Sequence, residues 1–188
     1  FGRVSPIGLT GGVHLYGFMD TEDALHYSEN KDNKLEILTD PYVGAFGVIA
    51  LVGYCFLYGA GLPQIWQTEH LLLLALSFVI SRSLSGMALV WFQGAKKEGV
   101  LYTFAAAAQK QSVRVVLVLV LGGCFICLIL LSPVIGAVMA LASMWVWTYY
   151  YYMSKNQFGG ITGELAGYFL SLCELSSVLV IGFIGRVM

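Results

Sequence analysis

Residues 113–132 read VRVVLVLVLGGCFICLILLS, and Arg114 carries the only charge in this run. A helix rises about 1.5 Å per residue, so roughly 20 apolar residues cross the ~30 Å hydrocarbon core of a bilayer. The stretch therefore predicts a transmembrane helix. The whole chain of 188 residues agrees with this, because it is 58% hydrophobic and only 11% charged, outside the usual balance of a soluble domain.

Four more apolar segments of similar length accompany this one: residues 44–63, 70–92, 134–153 and 165–184. They predict an all-α, polytopic helical bundle of about five transmembrane helices, forming one membrane-embedded domain over residues 1–188. The net charge of -1 excludes a surface for nucleic acid, which needs a surplus of Lys and Arg. The lipid bilayer is the expected partner.

The remaining polar stretch, residues 14–42, holds seven of the eleven acidic residues. We expect it to be a helical segment lying in water, the polar head of the protein. The sequence begins at Phe1, and its first residues have no basic, apolar and small-residue signal-peptide layout. The expectation is a fragment that lacks an N-terminal part.

Five crossings place the acidic segment, the AKKEG loop at residues 95–99 and the GGITG loop at residues 159–163 on the same side of the membrane. Most basic residues outside the apolar cores fall on that side, whereas Arg186 falls on the other. The positive-inside rule predicts that these loops face the cytoplasm. Such convergence is typical of a site for soluble substrates.

Asp20 and Asp23 are spaced to share one face of a helix. Mg²⁺ would relieve the repulsion between them, since it is usually held by one or two carboxylates with waters and phosphates. A solvated acidic helix face is the simpler explanation of the pair, and on spacing alone both interpretations stay open. Glu36 and Asp40 would add oxygen ligands only if the two segments pack together.

Arg82 lies near the middle of a crossing, where a bare charge costs at least ~2.5 kcal/mol, so it needs a partner. Glu174, also in mid-crossing, is the predicted one. The pair is either structural or close to a substrate phosphate.

Lys97 offers a positive point charge for phosphate, or it only sets the topology of the chain in the membrane. His14 is a candidate ligand or acid–base group.

Several motifs resemble those of the cobalamin synthase family. GGVHLYGFMDTEDAL at residues 11–25 is similar to the family pattern GGxHLDGxxDTxDxx, and KLEILTDPYVGAFGVIA at residues 34–50 resembles its next block. SRSLSGMALVWF at residues 81–92, followed by AKKEG, resembles its Ser-Arg and basic Glu-Gly region. GGITGELAGYFLSLCEL at residues 159–175 resembles its GGxTGDxxG segment and trailing Glu.

The resemblance implies an Mg²⁺-dependent adenosylcobinamide-GDP ribazoletransferase of the bacterial inner or plasma membrane. Its substrates would be adenosylcobinamide-GDP and α-ribazole or α-ribazole 5′-phosphate, and its products adenosylcobalamin or its phosphate, and GMP. Whether the chain forms a homo-oligomer, or a complex with other cobalamin-assembly enzymes, stays open.

The resemblance also assigns roles to individual residues. It implies catalytic roles for Asp20, Asp23 and His14, and metal ligands at Asp20, Asp23, Asp40 and Glu164. Substrate phosphates would be held by Arg82, Lys97, Gly159, Gly160, Thr162 and Gly163.

Two departures from the family pattern bear on activity. Tyr16 stands where the family has an Asp, and Glu164 stands where it has another. A neutral phenol is a poor Mg²⁺ ligand, so a catalytically impaired homologue is one alternative. A small transporter component that uses Arg82 and Glu174 as a pathway pair is another.

Overall fold

A computed structural model of the chain describes residues 12–65, 68–95 and 110–186. Its regular structure within these ranges is helical, apart from a single parallel bridge between Gly94 and Ile161. The helices are α1 (Val13–Tyr27), α2 (Lys31–Ile37), α3 (Ala45–Gly61), α4 (Thr68–Trp91), α5 (Lys110–Leu131), α6 (Pro133–Met153) and α7 (Gly163–Ile184). A 3₁₀ turn, Leu62–Gln64, follows α3, and a π-helical turn, Ser154–Phe158, follows α6.

Four of the helices are long and apolar enough to cross a membrane: α4, α5, α6 with its π-turn, and α7. The remaining apolar helix, α3, has 17 residues, which corresponds to about 25 Å and is slightly less than a full crossing. The prediction of an all-helical membrane bundle is confirmed.

Helix α7 lies at the centre of the bundle and packs against α1, α3, α4 and α6. Glycines let its neighbours come close. A Cβ added to Gly182 would lie 2.8 Å from the Cα of Gly61, so a side chain at this crossing would push α3 away from α7. The close approach brings the polar positions of α7 into the interior, where neighbouring helices can satisfy them.

Helix α1 does not lie free in water, contrary to the expectation of a polar head. Its inner face is buried against α3 and α7, and Leu15 and Phe18 pack into the core. Burial of this apolar face is favourable, and it takes Asp20 and Asp23 from the same helix out of solvent, leaving them 2% and 3% exposed. Val13 and Tyr16 near the start of α1 and His26 and Tyr27 at its end remain exposed.

Candidate functional site

Asp20 is the most unusual carboxylate in the described part of the chain. Within that part, no hydrogen-bond donor reaches its buried Oδ2 atom. Burial raises the pKa of Asp20 to about 7, and the negative charges of Glu164, Asp23 and Asp40 contribute to the rise. Burying an unsatisfied carboxylate is costly, so this position favours either a proton or a cation.

The surroundings of Asp20 fit Mg²⁺. Among the described residues, no three His, Cys, Asp or Glu side chains form a metal-binding group by themselves. Mg²⁺, however, is commonly held by one or two carboxylates together with waters and substrate phosphates. An unsatisfied oxygen on Asp20, with Asp40 and Glu164 adding negative charge, is a donor set of that kind.

Tyr16 lies at the edge of this acidic cluster and is 41% exposed. Its hydroxyl donates to the backbone carbonyl of Asp40 at 3.5 Å. The negative charge of Asp20 is the largest cause that raises the pKa of Tyr16, followed by desolvation and the charges of Asp40 and Glu164. The phenol therefore stays neutral at the position where the family pattern has a carboxylate.

Asp23 has a structural function that the sequence analysis did not predict. Its Oδ2 accepts the backbone N–H of Gly44 at 2.7 Å, and its Oδ1 accepts that of Gly47 at 2.9 Å. These amides belong to the first turn of α3, where backbone donors lack intrahelical partners and the helix dipole favours negative charge. Asp23 thus joins α1 to α3, and both of its oxygens already accept a hydrogen bond.

The predicted partner of Arg82 is confirmed. Its Nη1 atom lies 2.6 Å from Oε1 of Glu174 and also donates to the hydroxyl of Ser81 at 3.0 Å. Glu174 is 2% exposed, whereas Arg82 is 41% exposed. The pair joins α4 to α7, and the rest of the guanidinium is accessible for another anion.

His14 also approaches Glu174, with its Nε2 atom 3.6 Å from Oε2. Burial is the largest influence on the pKa of His14 and lowers it. The negative charge of Glu174 opposes that effect, and the positive charge of Arg82 adds to it. His14 therefore belongs to a group with Glu174 and Arg82, separate from the acidic cluster around Asp20.

The GGITG loop begins with a tight turn in which Gly159 has a φ of 76°, a conformation that glycine adopts without strain. The amides of Gly159 and Gly160 both donate to the carbonyl of Ser154, and the amide of Ile161 donates to Gln93. These three donors already have acceptors within the protein. The glycines therefore shape the loop. The nearest backbone N–H groups that could donate to a phosphate are those at the start of α7, at Gly163.

Thr162 is the N-cap of α7, and its hydroxyl accepts the N–H of Leu165 at 3.3 Å. Glu164 follows in the first turn, where the helix dipole favours its charge. The backbone of Glu164 packs closely on Gly17 of α1. The loop thereby brings Glu164 next to the helix that carries Asp20.

Residues 93–95, which lead into the AKKEG motif, meet the GGITG loop. The amide of Ala95 donates to Ile161 at 3.0 Å, and a Cβ on Gly160 would collide with this strand-like segment. Lys97, a predicted phosphate ligand, lies outside the described residues. Among the described residues, the structure therefore places Asp20 close to Asp40 and Glu164, while Arg82 and His14 meet separately at Glu174.

The family model described as cobalamin-5-phosphate synthase matches residues 3–182 of this chain. The adenosylcobinamide-GDP ribazoletransferase of Lachnoclostridium phytofermentans is 39% identical over 176 residues, covering 94% of this chain and 67% of that protein. The proteins of the same name from Clostridium perfringens strain 13 and Treponema denticola are 32% and 34% identical, covering 95% and 89% of this chain and 71% and 68% of their own lengths.

No solved structure matches the chain. The family match nevertheless spans nearly all of it, including every motif quoted above. The chain therefore belongs to the cobalamin-5-phosphate synthase family.

Proposed function

We propose that this chain transfers the adenosylcobinamide-phosphate group of adenosylcobinamide-GDP to α-ribazole or α-ribazole 5′-phosphate. A ribose hydroxyl of the ribazole attacks the phosphorus next to the cobinamide arm. The bond from that phosphorus to the oxygen bridging to GMP breaks, GMP leaves, and the hydroxyl proton passes to a base. The products are adenosylcobalamin, or its 5′-phosphate, and GMP.

The observation that carries this proposal is the buried carboxylate of Asp20, whose Oδ2 atom has no donor among the described residues. Asp20 would hold Mg²⁺ together with waters and substrate phosphates, and Asp40 and Glu164 would add negative charge close to it; the ion when bound neutralises charge on a diphosphate. Asp23 supports the arrangement by fixing α1 against the first turn of α3. A carboxylate of this acidic cluster would accept the proton of the attacking ribose hydroxyl.

The other proposed contacts involve phosphate oxygens. The accessible part of the Arg82 guanidinium and the Lys97 ammonium would contribute positive charge, and the first turn of α7 at Gly163 would contribute backbone donors. The motif loops would face the cytoplasm, where both substrates are soluble. The excess of basic residues on that side supports this orientation.

The test is GMP release by the full-length protein in membranes supplied with both substrates. We expect release with Mg²⁺ and none with EDTA. Asp20→Asn should lower the rate about 100-fold or more, since a metal or proton-accepting carboxylate has effects of that size. The matched control is Asp32→Asn, an exposed acid in α2, which should stay within about twofold. Wild-type protein that releases no GMP under any condition contradicts the proposal.

A second candidate is an impaired homologue of the same family, and the position of Tyr16 favours it. A Tyr16→Asp variant adds a carboxylate beside Asp20, Asp40 and Glu164. Activity in both proteins means that the existing carboxylates suffice. GMP release only after the substitution identifies the natural chain as the impaired form.

A further inference from the structure

Lys34 on α2 is a buried cation, only 4% exposed. Its Nζ atom donates to Oε1 of Gln157 at 2.6 Å and lies 5.9 Å from the centre of the Phe158 ring. An ammonium group has three donors, and the amide oxygen of Gln157 occupies one. Among the described residues, no carboxylate lies within ion-pair distance of this nitrogen.

This environment differs from that of the other interior cation. Arg82 is paired with Glu174 and remains 41% exposed, whereas Lys34 is less exposed and contacts the neutral groups of Gln157 and Phe158 among the described residues. Lysine is seldom buried unless it is paired, because taking an ammonium out of water without a counter-charge is costly. An anion next to Lys34 would remove that cost.

The position of Lys34 indicates what the anion is. Gln157 and Phe158 directly precede the turn at Gly159 and Gly160, and that turn packs on residues 93–95. Lys34 therefore lies beside the segment that leads into the GGITG loop. Helix α2, which carries Lys34, packs on the π-turn Ser154–Phe158, so a phosphate placed there would lie beside this turn.

We propose that Lys34 binds a phosphate group of a substrate, an inference that rests on the proposed transferase function. The shared chemistry is a phosphate ester, either the diphosphate of the nucleotide-linked substrate or the 5′-phosphate of the ribazole. The ammonium serves as a point charge for phosphate oxygens, and Gln157 orients it from the side of the π-turn.

The first test uses inorganic pyrophosphate and purified full-length protein in detergent with EDTA, so that no metal and no turnover are involved. Pyrophosphate should raise the thermal midpoint of the wild-type protein in a saturable way. Lys34→Met keeps the approximate length of the side chain and removes its charge, and it should weaken pyrophosphate binding about tenfold or more. Lys31→Met, an exposed lysine on the same helix, is the matched control and should bind as the wild type does.

A second variant covers the case in which Lys34→Met does not fold. Gln157→Glu leaves the lysine in place and supplies a carboxylate at the position of its present acceptor. It should raise the midpoint without ligand and weaken pyrophosphate binding about tenfold. Asn156→Asp makes the same charge change at an exposed neighbour and should change neither. Unchanged pyrophosphate binding in Gln157→Glu overturns the proposal, as does the absence of binding by the wild type.

Kinetics then distinguish the two phosphate sources. In Lys34→Met, a KM raised about tenfold for α-ribazole 5′-phosphate but not for α-ribazole assigns the site to the ribazole phosphate. A KM raised for adenosylcobinamide-GDP with either acceptor assigns it to the diphosphate. KM values all within about twofold of the wild type overturn the substrate assignment. Failure of the proposed function appears separately, as wild-type protein that binds pyrophosphate and releases no GMP.

Discussion

Helices α5 and α7 have the same length, yet they occupy opposite places in the bundle. α5 is the more apolar, with a mean hydropathy of 2.9 against 1.8, but only 17% of its apolar stretch is buried, compared with 61% in α7. In a bilayer the most apolar helix can face lipid, which is as apolar as its own side chains. A helix with Ser171, Glu174 and Ser177 must instead turn them toward protein. Polar residues, more than apolar ones, therefore indicate which helix is central.

The glycines of α5 and α7 also differ in their surroundings. Within the described part of the chain, a Cβ added to Gly122 or Gly123 of α5 would meet no neighbour within 4 Å, whereas Gly182 of α7 packs on Gly61 and Gly167 lies against His14 of α1. Glycines in the lipid-facing helix therefore do not hold other helices close, and those in the central helix set the distance between helices. Substitutions in the two regions should differ in their effects accordingly.

The largest effect is expected for Glu174→Leu, because it leaves Arg82 without its counter-charge inside the bundle. The free energy of unfolding should fall by about 3–5 kcal/mol, measured by SDS titration of the protein in mixed micelles. Leu119→Ala, at a 70% exposed position of α5, should change it by less than about 0.5 kcal/mol. Adding Arg82→Leu to Glu174→Leu should recover much of the loss. Equal losses in the free energy of unfolding for Glu174→Leu and Leu119→Ala would contradict the assignment of α7 as the central helix and α5 as the lipid-facing one.

Asp23→Ala should be the next most damaging change. It removes the acceptor of two backbone N–H groups in the first turn of α3, at 2.7 and 2.9 Å. Hydrogen bonds to a charged group contribute about 1.5–3 kcal/mol each. Water can replace part of the bond to the partly buried amide of Gly44, so a loss of about 2–3 kcal/mol, less than the full sum, is expected in the same titration. Asp23→Asn keeps one acceptor oxygen and should lose less. An Asn variant as unstable as the Ala variant would show that the charge, and not the hydrogen bond, matters.

Gly17→Ala tests the contact between α1 and α7 by overpacking. The new Cβ would lie 2.5 Å from the backbone oxygen of Glu164, so α1 and α7 would have to move apart. Overpacking of this kind lowers the free energy of unfolding by about 1–3 kcal/mol. GMP release should fall as well, because Asp20 and Glu164 lie on the two helices that move apart. Gly53→Ala in α3, where none of the described residues would lie within 4 Å of the new Cβ, is the matched control and should not destabilise. A stable and active Gly17→Ala protein would show that the two helices pack less closely than the structure has them.

The smallest effect is the pH dependence introduced by Asp20. Its pKa in the folded protein, about 7, lies above the ordinary value of 3.8, so folding favours the protonated carboxyl. Stability is then complete below about pH 4 and decreases as the pH rises through 7. Without Mg²⁺, Asp20→Asn should be about 1–2 kcal/mol more stable than the wild type at pH 8 and nearly equal to it at pH 4. Thermal unfolding at both pH values measures this, and parallel pH profiles for the two proteins would contradict it.

Much of the architecture could be predicted from local sequence. The five apolar segments were located to within a few residues of the observed helices, because a helix that crosses a bilayer must be long and apolar. The pairing of Arg82 with Glu174 was also predicted, since a charge in mid-membrane needs a partner and few were available. The motifs were sufficient to identify the family.

The site itself could be predicted only in part. Asp20 and Asp23 were expected to act as an equivalent pair, but one oxygen of Asp20 has no donor among the described residues, and Asp23 caps α3. The sign that could have indicated the cap was GAFG at residues 44–47, a helix start without a capping side chain of its own. The predicted roles of Lys97 and of the metal ligands stay predictions.

The sequence by itself determined that this chain resides in lipid, where its long apolar helices lie and to which family it belongs, because each of these follows from composition, segment length or motif. Only the tertiary structure decided which carboxylate is unsatisfied, which one caps a helix and which lysine is buried beside neutral groups. Those properties depend on contacts between distant residues, such as Lys34 and Gln157, which are 123 positions apart. A side chain's electrostatic state is set by the helices that pack around it, and no local pattern records that packing.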